Sequence, residues 1–254
     1  MAEGVKSATN GYFPWVTAKP DAVVVVPAHN EFAALARCVD AVRTAASAAA
    51  VATSVVVVLD ACDDDSASLA GRFGSDVRFI AVDERNVGAA RAAGFRYARS
   101  VLDDVRRPRW YATTDADTEV GTDWLTRQIA ANADMVLGLV RVGEWRHHSE
   151  EVASEYEARY RAEASRQQHI HGANMGFGSE AYWRVGGFVS RASGEDVDLV
   201  ERFQAEGYRV YWDESLWVTT SDRRNARAPG GFAEYLDEVA HEVTGFRHRT
   251  DEAS

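Results

Sequence analysis

Two aspartates spaced two positions apart have the residue type and spacing of a divalent-cation site. Asp115 and Asp117 follow the apolar, aromatic start of the run Trp110–Val120, WYATTDADTEV. This pattern predicts a buried strand whose carboxyl end places Asp115, Ala116 and Asp117 in a crevice. Both carboxylates could reach one Mg²⁺ or Mn²⁺, ions that take further ligands from water and substrate phosphates, which points to a nucleotide-diphosphate substrate. An acidic turn after a strand is the simpler alternative, because Asp is common in turns.

Asp60 directly follows a second apolar strand, Thr53–Leu59, and begins the acidic stretch DACDDDS. In an open α/β sheet, ligands bind in the crevice outside the carboxyl ends of the strands, so a strand-end carboxylate can accept hydrogen bonds from a ligand. Asp64 and Ser66 have a local explanation as caps of a short helix. Asp60 is therefore the candidate ligand contact of this stretch.

A third acidic group opens a late helix. Glu195, Asp196 and Asp198 follow Gly194 in the sequence GEDVDL. Acidic residues in a first helical turn interact favourably with the helix dipole, which gives all three a structural alternative. Three acids directly after a glycine are more than capping requires, so Glu195 and Asp196 are candidate functional carboxylates.

Two segments offer positive charge for a phosphate. In Arg85–Gly94, RNVGAARAAG, small residues would let the backbone approach a ligand closely, and Arg91 could reach a phosphate or pair with a crevice carboxylate. An alanine-rich helix with an exposed arginine is the alternative. Arg223, Arg224 and Arg227 lie in a basic loop that is suited to close over a diphosphate, unless it is solvated surface.

The segment His169–Gly178, HIHGANMGFG, is rich in glycine and predicts tight backbone and a pocket wall rather than a regular element. Asn174 is expected to supply a hydrogen-bonding side chain to this pocket. The residues predicted to line the second half of the cleft are His171, Gly172, Ala173, Asn174 and Trp183.

A repeated pattern of strand, turn and helix positions the candidate residues. Ala22–Val26 is a β-branched block without polar alternation, which is typical of a parallel strand buried on both faces. The turn PAHNE and an alanine-rich helix from Glu31 to about Ala50 follow it. The pattern recurs with strands at Thr53–Leu59, Val77–Val82 and Trp110. Four strands with intervening helices predict an α/β, doubly wound, mostly parallel sheet.

The second half predicts a smaller region on the same sheet. It contains a strand at Asp134–Glu144, a helix from Ser149 to about Arg166, two short strands, Tyr208–Trp212 and Trp217–Thr220, and a helix from about Phe232 to Phe246. The expected organisation is one domain over 1–254, with halves at about 22–120 and 121–254.

Composition narrows the class of protein and its partners. The chain has 254 residues, 46% of them hydrophobic, and a formal net charge of -11. A nucleic-acid partner would require a basic face, so none is expected. Two cysteines give no disulfide framework or zinc site, and no signal peptide or apolar run of roughly 20 residues is found. We expect no transmembrane segment and a cytoplasmic location; a homo-oligomer is left open.

Six segments in order resemble glycosyltransferase family 2, which has the GT-A fold. The resemblance covers roughly residues 22–230. The segments are VVVVPAHNE from Val23, LDACDDDS from Leu59, RNVGAARAAG from Arg85, TDAD from Thr114, GANMGFGSEAYWRVGGF from Gly172 and GEDVDL from Gly194.

The resemblance implies a role for each matching position. Asp115 and Asp117 would be the D-x-D pair that holds Mn²⁺ or Mg²⁺ on the donor diphosphate, and Glu195 and Asp196 the E-D pair, with Asp196 as catalytic base. Asp60 would contact the base or ribose; many members have two adjacent aspartates where this chain has Asp60-Ala61. The remaining donor-side positions are Pro27, Ala28, Asn30, Glu31, Asn86, Gly88, Arg91 and Ala116.

The implied activity is transfer of one sugar from a UDP-, GDP- or dTDP-sugar to a hydroxyl of a small-molecule, lipid-linked or glycan acceptor, with inversion. The Q-x-x-R-W motif of processive synthases is missing, which favours single-sugar transfer. Three alternatives remain: a nucleotidyltransferase, a non-catalytic module that binds a sugar nucleotide or glycan, and an interaction protein with a solvated acidic surface. The first would require a glycine-rich basic loop after the first strand, and PAHNE is not one.

Overall fold

The computed structural model describes residues 6–7, 22–101, 110–164, 169–191, 193–222, 236 and 238–243. Within them one sheet contains nine strands: β1 Lys6–Ser7, β2 Ala22–Ala28, β3 Thr53–Asp60, β4 Val77–Val82, β5 Trp110–Thr113, β6 Glu119–Val120, β7 Met135–Val142, β8 Met175–Gly178 and β9 Val210–Thr220. The α-helices with defined bounds are α1 Phe32–Ala49, α2 Val87–Val101, α3 Trp124–Ala130, α4 Glu150–Ala164, α5 Ser179–Arg184 and α6 Glu195–Ala205. A short 3-10 helix spans Asp65–Leu69, and residues 238–243 are helical.

The valine-rich strand β2 is buried on both faces, as its sequence predicts. Val24 and Val26 pack in one hydrophobic cluster with Leu35 of α1. Val23 and Val25 pack in the opposite cluster, which includes residues of α2. Helices therefore cover both sides of the sheet, and the predicted α/β, mostly parallel fold class is confirmed.

The sheet order is β1-β4-β3-β2-β5-β8-β7-β9-β6. β4, β3, β2 and β5 are parallel, and β7 and β9 run in the same direction because β8 is antiparallel to both β5 and β7. β3 and β4 lie on one side of β2, whereas β5 lies on its other side. This reversal creates a crevice at the carboxyl ends of β2 and β5, where α/β folds bind ligands.

The glycine-rich segment contains a strand, so the prediction of an irregular wall over His169–Gly178 is wrong in part. Met175–Gly178 forms β8, which pairs with β5 from Thr113↔Met175 to Trp110↔Gly178. Gly176 allows this pairing, because a Cβ there would collide with the side chains of Gln128 and Trp110. Since β8 runs back from the crevice, α5 starts at the opposite edge of the sheet.

The two short strands expected near the carboxyl end are a single strand. β9 pairs with β7 across its length, and a register shift between Gly138 and Leu139 accommodates the irregular middle of the strand. A third hydrophobic cluster joins β7 and α4 to the last described helical segment through Leu139, Tyr156 and Leu236.

Other differences are small. The short helix predicted after Asp64 ends at Leu69, before Gly71, whose φ is 82°. The polar amino-terminal segment contains an edge strand, β1, that the sequence did not indicate. The helix predicted over Phe232–Phe246 lies only partly within the described residues. Among all the residues that the structure describes, no helix is long and apolar enough to cross a membrane.

Candidate functional site

Most of the predicted site residues meet at the carboxyl edge of the sheet. β2 ends at Ala28, β3 at Asp60, β5 at Thr113 and β9 at Thr220, all at this edge. The predicted residues in or beside the crevice are Pro27, Ala28, Asn30, Glu31, Asp60, Asn86, Gly88, Arg91, Asp115, Ala116, Asp117, His171, Gly172, Glu195 and Asp196.

Arg91 is the buried centre of this crevice. It lies on α2 with only 2% of its surface exposed. Its Nη2 donates to Asp115 Oδ1 at 2.7 Å, and its Nη1 donates to Glu195 Oε1. Burial disfavours the charge, but the two carboxylates outweigh it and raise the pKa of Arg91. The sequence left open whether Arg91 would contact a phosphate, pair with a crevice carboxylate or be exposed on its helix. The structure shows it paired with crevice carboxylates.

Glycines enclose this ion-paired group. A Cβ on Gly172 would lie within 2.5 Å of three Arg91 guanidinium atoms. A Cβ on Gly88 would lie 2.9 Å from Glu195 Cβ and would collide with the Val189 carbonyl. Both positions require glycine because backbone packs directly against the charged side chains.

Asp115 and Asp117 extend from the turn after β5. The Asp115 side chain is 38% exposed and Asp117 is half-buried. No group of three or more His, Cys, Asp or Glu side chains that could hold a metal occurs among the described residues. Two accessible carboxylates fit a Mg²⁺ or Mn²⁺ ion that takes its other ligands from a diphosphate and water. The donor set therefore fits a cation that binds together with substrate.

Two hydroxyl groups, those of Thr220 and Ser221, hold the Asp117 side chain. The sequence analysis did not identify either of these two residues as part of the site. Ser221 Oγ donates to Asp117 Oδ2 at 2.8 Å, and Thr220 Oγ1 lies 3.5 Å from Oδ1. The next residue, Asp222, accepts hydrogen bonds from the backbone amides of Arg146 and His147, each at 2.6 Å. The only sequence signal was the position of Ser221 between a strand and the basic loop.

Asp196 lies at the start of α6, next to the buried Glu195. Its Oδ2 accepts a hydrogen bond from Gly172 N, and its Oδ1 accepts one from Val197 N, both at 2.8 Å. Asp196 is half-buried, whereas Glu195 is committed to Arg91. The two predicted catalytic carboxylates therefore have different surroundings, and only Asp196 retains substantial access to solvent.

Asp60 is engaged by backbone amides. Its Oδ1 accepts from Glu84 N and Arg85 N at 2.7 and 2.9 Å, and its Oδ2 accepts from Asn86 N at 3.0 Å. With 5% of its surface exposed, Asp60 fixes the loop between β4 and α2. A contact between Asp60 and a nucleobase or ribose stays a prediction.

The ends of β2, β3 and β4 share an unusual backbone conformation. Asn30, Ala61 and Arg85 have φ values of 55°, 50° and 49°, in the left-handed region. The Asn30 side chain supports its turn by donating to Asp63 Oδ1 at 2.6 Å and accepting from Asp63 N at 2.9 Å. Non-glycine residues in this region cost free energy, so the crevice wall is held under local strain.

The acceptor-side predictions divide into two groups. His171, Gly172 and Ala173 precede β8 at the crevice edge, and His171 Nε2 lies 3.0 Å from the Tyr160 hydroxyl. Burial, with a contribution from His169, lowers the pKa of His171 to about 3, so the imidazole is neutral near pH 7. Trp183 does not line the crevice, because α5 follows β8 at the far edge, where the indole donates to the Tyr111 hydroxyl.

Asn174 also has a different place from the predicted one. It is fully buried, and its Oδ1 accepts from Trp124 Nε1 at 2.9 Å. Its Nδ2 donates to the carbonyls of Leu139 and Leu216, both at 2.9 Å. The amide thus fills three internal hydrogen bonds that join β7, α3 and β9, and the prediction that it faces a ligand is wrong. The predicted donor residues Arg223, Arg224 and Arg227 lie outside the described residues.

Comparison with solved structures places this architecture in the GT-A class. The chain is similar to S. aureus TarS 1-349 in complex with UDP-GlcNAc, with a TM-score of 0.61, 12% identity, and coverage of 86% of this chain and 64% of that chain. It therefore spans less than two thirds of that TarS chain. It is also similar to the mannosyltransferase PcManGT from Pyrobaculum calidifontis in complex with GDP-Man and Mn²⁺, with a TM-score of 0.60, 19% identity, and coverage of 91% and 73%.

The family profile described as Glycosyl transferase family 2 matches residues 23–186. The chain belongs to glycosyltransferase family 2, as the sequence motifs indicated. Comparison with curated protein sequences gives no significant match. The profile match includes Asp115 and Asp117 but ends before Glu195 and Asp196, so the assignment of the E-D pair depends on its position in the fold.

Proposed function

We propose that this protein transfers a single sugar from a nucleotide-diphosphate sugar to an acceptor hydroxyl, with inversion and with a divalent cation. Asp115 and Asp117 hold the cation on the donor diphosphate, and Asp196 is the base. The donor class is a UDP-, GDP- or dTDP-sugar, and the acceptor is a small molecule, a lipid-linked sugar or a glycan. Family membership supports the reaction class, and the UDP-GlcNAc and GDP-Man complexes of the structural neighbours support the donor class.

One observation carries the proposal: an accessible aspartate pair and a separate aspartate, Asp196, border the same crevice and are connected through Arg91. The path runs from Asp115 Oδ1 to Arg91 Nη2 at 2.7 Å, then through Arg91 Nη1 to Glu195, the neighbour of Asp196. Transfer of a glycosyl group requires two separated functions, neutralisation of a leaving diphosphate and removal of a proton from the attacking hydroxyl. The crevice offers carboxylates for both.

The residues divide the work of the reaction. When bound, the cation supplies charge that stabilises the departing diphosphate. Asp196 accepts the proton of the acceptor hydroxyl, and its backbone hydrogen bonds from Gly172 and Val197 fix the carboxylate for this step. His171, which precedes Gly172 in the chain, stays neutral near pH 7 because its pKa is lowered, so it does not carry the proton. Displacement from the face opposite the diphosphate inverts the anomeric centre.

The first test is thermal stabilisation by UDP-, GDP-, dTDP- and CDP-sugars, with and without Mn²⁺. We expect one nucleotide class to stabilise the protein in a metal-dependent way, by about 2.7 kcal/mol at a hundredfold excess over Kd. Asp117→Ala should abolish the effect, and Asp123→Ala, which removes an exposed carboxylate of the same segment, should retain it. No stabilisation at millimolar ligand and metal would refute the proposal.

Turnover separates the transferase from its rivals. A non-catalytic binding module would bind the sugar nucleotide but would not release nucleoside diphosphate, either with or without candidate acceptors. A nucleotidyltransferase would act on a nucleoside triphosphate, for which the end of β2, with Pro27 and Ala28 inside the strand, provides no glycine-rich loop. The anomer first formed during slow donor hydrolysis, followed by proton NMR, tests inversion.

A further inference from the structure

Arg91 pairs with Asp115, which the proposed function assigns to the cation, and with Glu195, the neighbour of the proposed base Asp196. We propose that Arg91 is a positioning residue, not a ligand of the diphosphate, and that it holds Asp115 and the start of α6 with Asp196 in one fixed arrangement. This inference rests on the proposed function, because it concerns the cation site and base named there.

The position of the guanidinium argues against direct phosphate binding. A phosphate ligand must present N–H groups to the crevice, but Arg91 is 2% exposed and its two Nη atoms donate to Asp115 and Glu195. Its Nε has no hydrogen-bond partner among the described residues and is buried as well. The Phe188 ring lies 5.5 Å from the guanidinium carbon. A phosphate could reach this group only by displacing a carboxylate.

Gly172 extends the arrangement to Asp196. The residue packs against the Arg91 guanidinium so closely that a Cβ would come within 2.5 Å of three of its atoms. The same residue donates its backbone N–H to Asp196 Oδ2 at 2.8 Å. A displacement of Arg91 is therefore transmitted to Asp196 through one residue, while its ion pair transmits it to Asp115.

Lysine cannot replace the arginine in this role. A guanidinium presents donors on a planar fork and can bind two carboxylates at once, whereas an ammonium is a compact point charge on a flexible stem. Lysine is, however, an effective phosphate ligand. Arg91→Lys therefore separates the two roles, because it keeps the positive charge and loses only the fixed geometry between Asp115 and Glu195.

The experiment is calorimetric titration of the protein with a nucleoside diphosphate at a series of Mn²⁺ concentrations. The nucleotide is UDP, GDP, dTDP or CDP, whichever belongs to the class of sugar nucleotide that stabilises the wild type. For Arg91→Lys we expect the Mn²⁺ concentration at half-effect to rise about tenfold to a hundredfold, as for other residues that orient metal ligands. Metal-free nucleotide affinity should equal that of the wild type. Gly172→Ala, which changes no group that touches the nucleotide, should give the same pattern.

Two glycine variants serve as controls. At Gly178, a Cβ meets only Asp134 O at 3.7 Å and Ala181 Cβ at 4.0 Å, so Gly178→Ala should behave as the wild type. At Gly138, a Cβ would collide with Asn174 and Leu216, away from Arg91, so Gly138→Ala should lower the melting temperature without changing the Mn²⁺ dependence. General loss of stability is thereby distinguished from loss of positioning, and Gly172→Ala tests the inference even if Arg91→Lys does not fold.

Three outcomes are decisive. A raised Mn²⁺ requirement with unchanged metal-free affinity, in both Arg91→Lys and Gly172→Ala, supports the inference. An unchanged Mn²⁺ requirement in both variants overturns it, whether metal-free nucleotide affinity is retained or lost, because the fixed geometry is then not needed for the cation site. A wild type that binds none of the nucleotides, with or without Mn²⁺, overturns the proposed function itself and the inference with it.

Discussion

The Ser221 hydroxyl donates a hydrogen bond of 2.8 Å to Asp117 Oδ2, so the end of β9 fixes one of the two carboxylates after β5. The two residues are far apart in sequence, and β9 brings them together because its carboxyl end lies at the same edge of the sheet as that of β5. The orientation of the aspartate pair therefore depends on a residue outside its own turn.

Ser221→Ala should weaken cation binding while the fold remains intact. Loss of the hydroxyl removes a group that orients Asp117, and such changes cost about tenfold to a hundredfold in metal affinity. The Mn²⁺ dependence of nucleotide binding measures this effect. Thr219→Val is the matched control, because the Thr219 hydroxyl accepts a hydrogen bond from Arg141 Nε at 3.1 Å. Equal Mn²⁺ requirements for Ser221→Ala and the wild type would contradict the assignment.

Asp196→Asn should lower kcat by about 10² to 10⁴ without changing nucleotide or Mn²⁺ affinity, because a positioned base acts only in the chemical step. The amide has nearly the shape of the carboxylate but cannot accept the proton. Initial rates at saturating donor, together with calorimetric titration, measure the two quantities. Glu201→Gln, at an exposed position on the same helix, should retain full activity. Weaker nucleotide binding in Asp196→Asn would show that the residue belongs to the donor site instead.

His171 should make the stability of the protein depend on pH. Its pKa falls from 6.5 in the unfolded chain to about 3 in the folded protein, so the unfolded state binds the extra proton between these values. Folded stability is therefore complete above pH 6.5 and decreases as the pH falls towards 3, by up to about 1.4 kcal/mol per pH unit. In His171→Gln the free energy of unfolding should decrease less steeply than in the wild type as the pH falls from 6.5 towards 3.

Asn174→Ala should destabilise the fold and leave ligand binding unchanged. The substitution removes the partners of Trp124 Nε1 and of the Leu139 and Leu216 carbonyls. Buried groups without partners cost about 1–3 kcal/mol each, so we expect a loss of roughly 3 kcal/mol or more. Urea denaturation of Asn174→Ala measures it. Wild-type stability combined with weaker substrate binding would restore the pocket role that the sequence suggested.

The strands of the first half were predictable because their residues leave few alternatives. Ala22–Val26 and Thr53–Leu59 are too β-branched for helices and too apolar for exposed strands, and each ends in polar turn residues. β8 was not predictable in this way, because its sequence, MGFG, has the glycine content of a loop. Its strand conformation depends on β5 and β7, which pair with it from both sides.

The partners of the polar site residues were likewise not predictable from the neighbouring sequence alone. The types and spacing of these residues indicated the edge of the sheet at which Asp60 and Asp115 would lie, whereas the role of Asp196 followed from the family resemblance. Which partner each side chain would take was not determined locally: Asp60 binds the amides of Glu84–Asn86, and Asn174 is enclosed by three strands or helices distant in sequence. Glycines at 88 and 172 were a usable signal, since close backbone packing against Arg91 and Glu195 requires them.

The left-handed residues at the ends of β2, β3 and β4 bear on any effort to make a thermostable form of this protein. Asn30, Ala61 and Arg85 each adopt a conformation that glycine accepts more readily, and each holds a turn at the crevice. Ala61→Gly would relieve backbone strain but would also give the unfolded chain more freedom and loosen the turn. Stabilising substitutions are therefore better sought at the opposite edge of the sheet, where rigidity and ligand recognition do not compete.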